Sequence, residues 1–158
     1  KLSKQNFKNK LEPFIYDKLN KESYEIVKFH PVKLLTWNRM DLAFKLFYLQ
    51  HKNSIPSYAI EVYKHDIRAQ SLGSFNEPGN KEKDGFGKYI KDFEATYKNI
   101  QFYGFDAEKS VIPLSNQSTL INGSHRTASA IHLNKSVSCI KTEINIKKSP
   151  SKNLPEPS

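Results

Sequence analysis

The stretch Leu120-Ile121-Asn122-Gly123-Ser124-His125-Arg126-Thr127-Ala128-Ser129-Ala130-Ile131 constrains this chain more than any other. Leu120 and Ile121 read as the end of a strand. Asn122-Gly123 is a tight break, and a helix of small residues begins at about Ser124. The strand needs a sheet, and the helix needs a surface close to that sheet, which Ala128 and Ala130 permit by keeping it thin. Gly123 can take a positive φ and bring the backbone near a ligand. The first helical N–H groups have no acceptors within their own helix. The helix dipole adds about half a positive charge at that end. Asn122, Ser124, His125, Arg126 and Thr127 add polar groups, and Arg126 can clamp two oxygens at once. The combination suits a phosphate. It also fits an ordinary strand-to-helix connection with Ser124 as the cap, and local pattern alone does not decide between the two.

The surrounding pattern supplies a sheet. Val111–Leu114 and 119–121 read as short strands on either side of a turn at 115–117. The helix is expected over 124–133, ended by Asn134-Lys135, and 137–142 is a further strand. Earlier in the chain, 24–29 alternates as a strand closed by Pro31. A helix is expected from Asn38 as cap, with Leu42, Leu46 and Leu49 on its apolar face. Residues 57–63 fit either a strand or a helical continuation. Residues 71–87 read as a polar loop that holds four of the six glycines, a composition usual for mobile or functional segments. A helix over 88–100 would turn Tyr89, Ile90, Phe93 and Tyr97 inward. Residues 1–22 read as a basic amphipathic helix or arm, broken or started at Pro13. Residues 147–158 are Pro/Ser-rich and read as a disordered tail or linker. The expected division is therefore an arm (1–22), one α+β domain with a small mixed sheet and packed helices (23–146), and a tail.

Composition narrows the partners. The 158 residues suffice for one domain, and although only 37 % are hydrophobic, the 12 % that are aromatic bury large areas each. A net charge of +9 favours an anionic partner. The same charge fits a lysine-rich solvated surface. The single cysteine, Cys139, excludes an internal disulfide and a Cys-rich zinc site; in Val137-Ser138-Cys139-Ile140 it reads as buried. No stretch is apolar enough to span a membrane. No secretion signal is visible, so the reading is cytoplasmic, and the sequons at Asn116, Asn122 and Asn134 are taken as coincidence. An opening Lys1 fits a domain fused to a larger enzyme.

Gly104-Phe105-Asp106, then Ser110–Leu114, then Leu120–Ile131, then Val137–Ile140 resembles the core signature of the ParB/sulfiredoxin superfamily. That signature runs hydrophobic strand, Gly-x-(His/Arg)-Arg, small-residue helix, strand. The resemblance covers residues 104–142. Phe29-His30-Pro31-Val32 with Arg39 is a looser match to the fold's first strand. The resemblance implies a ParB/sulfiredoxin-like fold whose loop holds ATP phosphates. Ser124 stands where sulfiredoxins carry their catalytic Cys, so sulfinic-acid repair is not expected. The Glu-Arg-Arg of ParB and a following helix-turn-helix are absent, so chromosome partitioning is not expected either.

The resulting expectation is ATP-dependent phosphoryl transfer with Mg²⁺. The acceptor would be a hydroxyl in a small-molecule or sugar kinase, or a carboxylate in an amide ligase working through an acyl phosphate. A looser analogy points to bacterial surface (capsular) polysaccharide biosynthesis. Asn122, Gly123, Ser124, His125, Arg126 and Thr127 are assigned to the nucleotide. Glu77 is the preferred base or metal ligand, Asp84 a second metal ligand, and His125 and Asp106 are further catalytic candidates. Lys81, Lys83, His65, Arg68 and Arg39 are the candidates to meet a small anionic or sugar-like acceptor. The rivals are a nucleic-acid-binding or nuclease domain of ParB-like type, which lacks a concentrated basic stripe to support it, and a nucleotide-binding module without turnover.

Overall fold

The computed structural model describes residues 1–36, 39–70, 76–77 and 80–146, with residues 70, 76–77 and 80–84 described as backbone alone. The expected cap Asn38 and the expected tail 147–158 lie outside the described residues, as do the side chains of Glu77, Lys81, Lys83 and Asp84.

The chain is a mixed α+β fold. In order, it forms β1 (Leu2–Ser3), a 3-10 turn (Lys4–Phe7), α1 (Pro13–Tyr16), β2 (Ser23–Tyr24), β3 (Ile26–Phe29) and a second 3-10 turn (Pro31–Leu34). It continues with α2 (Met40–His51), α3 (Pro56–Gln70), β4 (Asn76–Glu77), β5 (Asn80–Asp84), α4 (Phe86–Tyr103), β6 (Ile112–Leu114), α5 (Ser124–Leu133) and β7 (Val137–Lys141). The main sheet has the order β3-β7-β6, with β7 antiparallel to β3 and parallel to β6. A parallel pair needs a crossover, and α5 provides it.

Strand β7 explains the core. Val137, Ser138, Cys139 and Ile140 are all buried, as expected of a central strand covered on both faces. Val137 and Cys139 join Ile112 and Leu114 in the large cluster beneath α2, α3, α4 and α5. Ile140 joins Phe7, Leu19, Tyr24 and Val111 in a second cluster on the other face. Helix α5 fits between because its inner residues Thr127, Ala128, Ser129 and Ala130 are small and fully buried. It starts at Gly123, with φ +94°, and ends at Asn134, with φ +54°. That second left-handed residue lets the Lys135 N–H return to the Ala130 carbonyl at 2.9 Å, a C-terminal cap of the usual kind.

Several expectations change. Residues 1–22 form β1, a 3-10 turn and the single-turn helix α1, which starts at Pro13 as expected, and Phe7, Ile15 and Leu19 are buried, so this segment covers one face of the sheet and is not one amphipathic helix. The run 24–29 splits at Glu25, because Tyr24 pairs with Leu2 while Ile26 pairs with Ile140. Residues 57–63 are helical, inside α3. The 71–87 region contains the antiparallel pair β4–β5, and α4 already begins at Phe86. Of 119–121, Leu120 alone forms a bridge, to Leu114.

Candidate functional site

The strand-break-helix segment has the expected backbone. Gly123 adopts the left-handed conformation and stands at the N-cap of α5, where no side chain caps the helix. The Thr127 N–H donates to the Gly123 carbonyl at 2.9 Å and closes the first turn. Asn122 Oδ1 accepts from the Gly123 N–H at 2.8 Å, which stiffens the break. A side chain at Gly123 would also push the Arg126 guanidinium aside. A Cβ there would lie 2.9 Å from Arg126 Nη2, because the guanidinium folds back over the glycine.

His125 and Arg126 diverge. Adjacent helical residues point about 100° apart, and Arg126 faces a cavity while His125 faces the aromatic core. His125 turns into the aromatic cluster: its Nε2 lies 2.8 Å from the Tyr63 hydroxyl, and its ring is 4.6 Å from that of Phe93. It anchors the helix start to α3 and α4. Arg126 turns the other way. Its Nη1 donates to Ser110 Oγ at 2.6 Å, and its guanidinium carbon lies 6.0 Å from the Phe105 ring centroid. Burial holds the guanidinium below its usual pKa, against the opposing pull of Glu12. No carboxylate forms an ion pair with Arg126 among the described residues. Arg126, Asn122 and Ser110 line an open cavity of about 250 Å³, which Lys10, Glu12 and Lys109 also line.

The remaining candidates are spread around this point. Asp106 is exposed, and its Oδ1 accepts from the Glu108 N–H at 2.9 Å. The Ser110 N–H returns to the Asp106 carbonyl at 3.2 Å, so Asp106 shapes the turn that presents Ser110 to Arg126. Arg39 makes two bonds to Asp41, at 3.0 and 2.7 Å, and a third to the Leu120 carbonyl at 3.2 Å. It therefore ties the start of α2 to the strand end that precedes Asn122. His65 and Arg68 sit on the exposed side of α3. Thr127 is fully buried, and its Oγ1 makes no hydrogen bond among the described residues.

The sequence reading passed over two groups. The first is Lys45, fully buried, 2.7 Å from Asp66 and 3.9 Å from Asp41. The i,i+4 spacing of Asp41 and Lys45 was the available signal. The second is Lys10, Glu12 and Lys109, which belong to no motif. The apolar neighbours Phe7 and Leu11 gave a hint, since a packed segment must leave its intervening polar residues at a rim. Cys139 is buried as expected, and burial pushes its thiol up to about 12.

Among the described residues, no helix is long and apolar enough to cross a membrane. Likewise, no group of three or more His, Cys, Asp or Glu side chains is placed to hold a metal ion. No family model, curated protein or solved structure matches the chain.

Proposed function

We propose that this chain is an ATP-dependent phosphoryl-transfer enzyme of ParB/sulfiredoxin-like fold that seats nucleotide phosphates on the Asn122–Arg126 turn. One observation carries the reading. Arg126 is partly buried, lies over a glycine at an uncapped helix start, and has a neutral hydroxyl as its hydrogen-bond partner. Taking a cation partly out of water costs free energy unless an anion compensates it, and Glu12, which pulls on Arg126 across the cavity, forms no ion pair with it among the described residues. A phosphate oxygen pair at the cavity would supply the missing charge and match the planar guanidinium. The amides of the first turn of α5 point out from the same place. His125 braces this turn from behind through Tyr63.

Phosphoryl transfer depends on positioning and charge neutralisation more than on covalent chemistry. Mg²⁺ would supply further neutralisation of the phosphates and needs only one or two protein carboxylates, for which the sequence offers Glu77 and Asp84. Calorimetric titration with ATP and Mg²⁺ tests the site. Arg126→Ala is expected to weaken binding by about 100-fold or more, roughly 2.7 kcal/mol, while the circular-dichroism spectrum stays native. Arg126→Lys should recover only part, because an ammonium cannot clamp two oxygens. Unchanged affinity in Arg126→Ala overturns the assignment.

A further inference from the structure

We propose that the cavity beside Arg126 is an acceptor subsite, resting on the nucleotide reading above, and that it takes a small anionic compound bearing a hydroxyl. Lys10 and Lys109 hold the anionic group, and Glu12 accepts the hydroxyl proton.

Size is the first reason. Pockets that hold drug-sized ligands run to roughly 300–1,000 Å³, and this cavity has about 250 Å³. That is less than the volume of a site that encloses a whole nucleotide. Phosphates can reach the helix start at one edge, while the cavity itself suits a compound of a few carbons and one charged group.

Charge is the second. Lys10, Lys109 and Arg126 line the cavity with one opposing carboxylate, Glu12. Lys10 faces Glu108 at 3.8 Å, but Glu108 is 92 % exposed, so that pair is screened and weak. Lys109 makes no ion pair among the described residues. The lysines come from two separate segments, the turn before α1 and the turn before β6. Folding alone brings them to one cavity, and an anion between them would relieve their repulsion.

Glu12 is the third reason, and it selects the acceptor. It occupies the N-cap position of α1 yet makes no capping bond, and it forms no ion pair among the described residues. Its carboxylate is exposed and makes neither bond, at the rim of the cavity that Arg126 lines. A carboxylate acceptor would already be ionised, would need no base and would be repelled by Glu12. A hydroxyl needs a base within reach. Glu12 thus takes the role that the sequence pattern gave to Glu77. In the step, the acceptor oxygen attacks the γ-phosphorus of ATP and forms an O–P bond. The bond from the γ-phosphorus to the bridging oxygen breaks, ADP leaves with that electron pair, and the hydroxyl proton passes to Glu12.

Titration of the chain with glycerol 3-phosphate and glucose 6-phosphate, beside glycerol and glucose, reads the subsite without nucleotide. The phosphorylated compounds should bind. In Lys10→Ala/Lys109→Ala they should bind about tenfold more weakly or worse, with ATP affinity held within about twofold. Phosphorus NMR with ATP and Mg²⁺ then follows the new phosphoester. Glu12→Gln should slow its formation by about 100-fold or more while both affinities are kept. The proposal is overturned if none of the phosphorylated compounds binds, if the double lysine variant binds them as the wild type does, or if Glu12→Gln turns over at the wild-type rate. A chain that binds glycerol 3-phosphate through Lys10 and Lys109 but never binds ATP overturns the acceptor role and the nucleotide reading together. Binding of ATP without any of the phosphorylated compounds overturns the subsite alone.

Discussion

Lys45 and Arg126 are both drawn out of bulk water, the first fully and the second in part, and they are treated differently. Lys45, in α2, is fully buried and meets Asp66 of α3 at 2.7 Å; Asp41 lies 3.9 Å away and is itself clasped by Arg39. Burial outweighs the pull of Lys45 on Asp66 and holds that carboxyl above its usual range, so the pair persists because the fold encloses it. Arg126, in α5, meets a serine hydroxyl and the face of a phenylalanine. A cation whose charge the fold neutralises is part of the scaffold. Arg126 hydrogen-bonds a neutral group, with Glu12 pulling on it from across the cavity, and under the proposed function a phosphate completes its neutralisation.

The contrast predicts opposite outcomes for removing one partner. Asp66→Asn strands Lys45 and should cost roughly 3–5 kcal/mol of stability, read by urea denaturation. Lys45→Met/Asp66→Leu should recover most of that loss, because an apolar pair of similar volume replaces a costly ion pair. Arg126→Met should change stability by no more than about 1 kcal/mol, since it relieves an unpaired charge while losing one hydrogen bond; ATP affinity is what should collapse. If Arg126→Met unfolds the domain as Asp66→Asn does, the two cations are both scaffold and the contrast is gone.

These residues also mark the limits of sequence reading. Helix α5 was legible to the residue because its signals are local: Gly123 before it, small residues within it, Asn134 after it. Strand β7 was legible because a continuous apolar run bounded by polar residues has few other uses. The direction of Arg126 was not legible, since the turn of the helix separates it from His125 and the packing of α3 and α4 decides which faces inward. Lys64-His65-Asp66-Ile67-Arg68 drew attention to its basic residues, which lie on the exposed side of α3. Asp66 carries the structural role, and burial of an acid between two helices has no local signature. The segment 1–22 was misread as one helix because Phe7, Leu11, Ile15 and Leu19 fall at near-helical spacing, while short turns and the single-turn α1 are what bury Phe7, Ile15 and Leu19.

A third ion pair lies between the extremes and tests whether exposure sets the scale. Lys52, the C-cap of α2, meets Glu94 of α4 at 2.9 Å, with both side chains about a quarter exposed, and the Tyr48 hydroxyl also donates to Glu94 at 2.8 Å. Burial alone would raise the Glu94 carboxyl, yet the bonds from Lys52 and Tyr48 carry it below the ordinary 4.5. A carboxyl with a depressed folded pKa contributes stability above its unfolded value and loses it as pH falls through the folded one. Glu94→Gln should therefore cost about 1 kcal/mol or less at neutral pH. Thermal melts should show that difference shrinking as pH is lowered past both values. A deficit that persists in acid would mean the bond geometry, and not the charge, carries the interaction.

The smallest effect is expected at Thr127, one residue beyond Arg126 on the same helix. Its Oγ1 is buried without a partner among the described residues, at a cost of about 1–3 kcal/mol for an unsatisfied hydroxyl. Valine keeps the branched shape and removes that cost, so Thr127→Val should be neutral or stabilising by up to about 1 kcal/mol. Because the side chain is fully buried, ATP affinity should not move. This sharpens the contrast at single-residue distance: neighbouring polar groups both go short of partners, and the one that lines the cavity is the one a ligand can reach. If Thr127→Val is clearly destabilising, the hydroxyl has a partner in solution. A group that looks unsatisfied at this helix start would then be no guide to binding, and the case for Arg126 would have to stand on nucleotide titration alone.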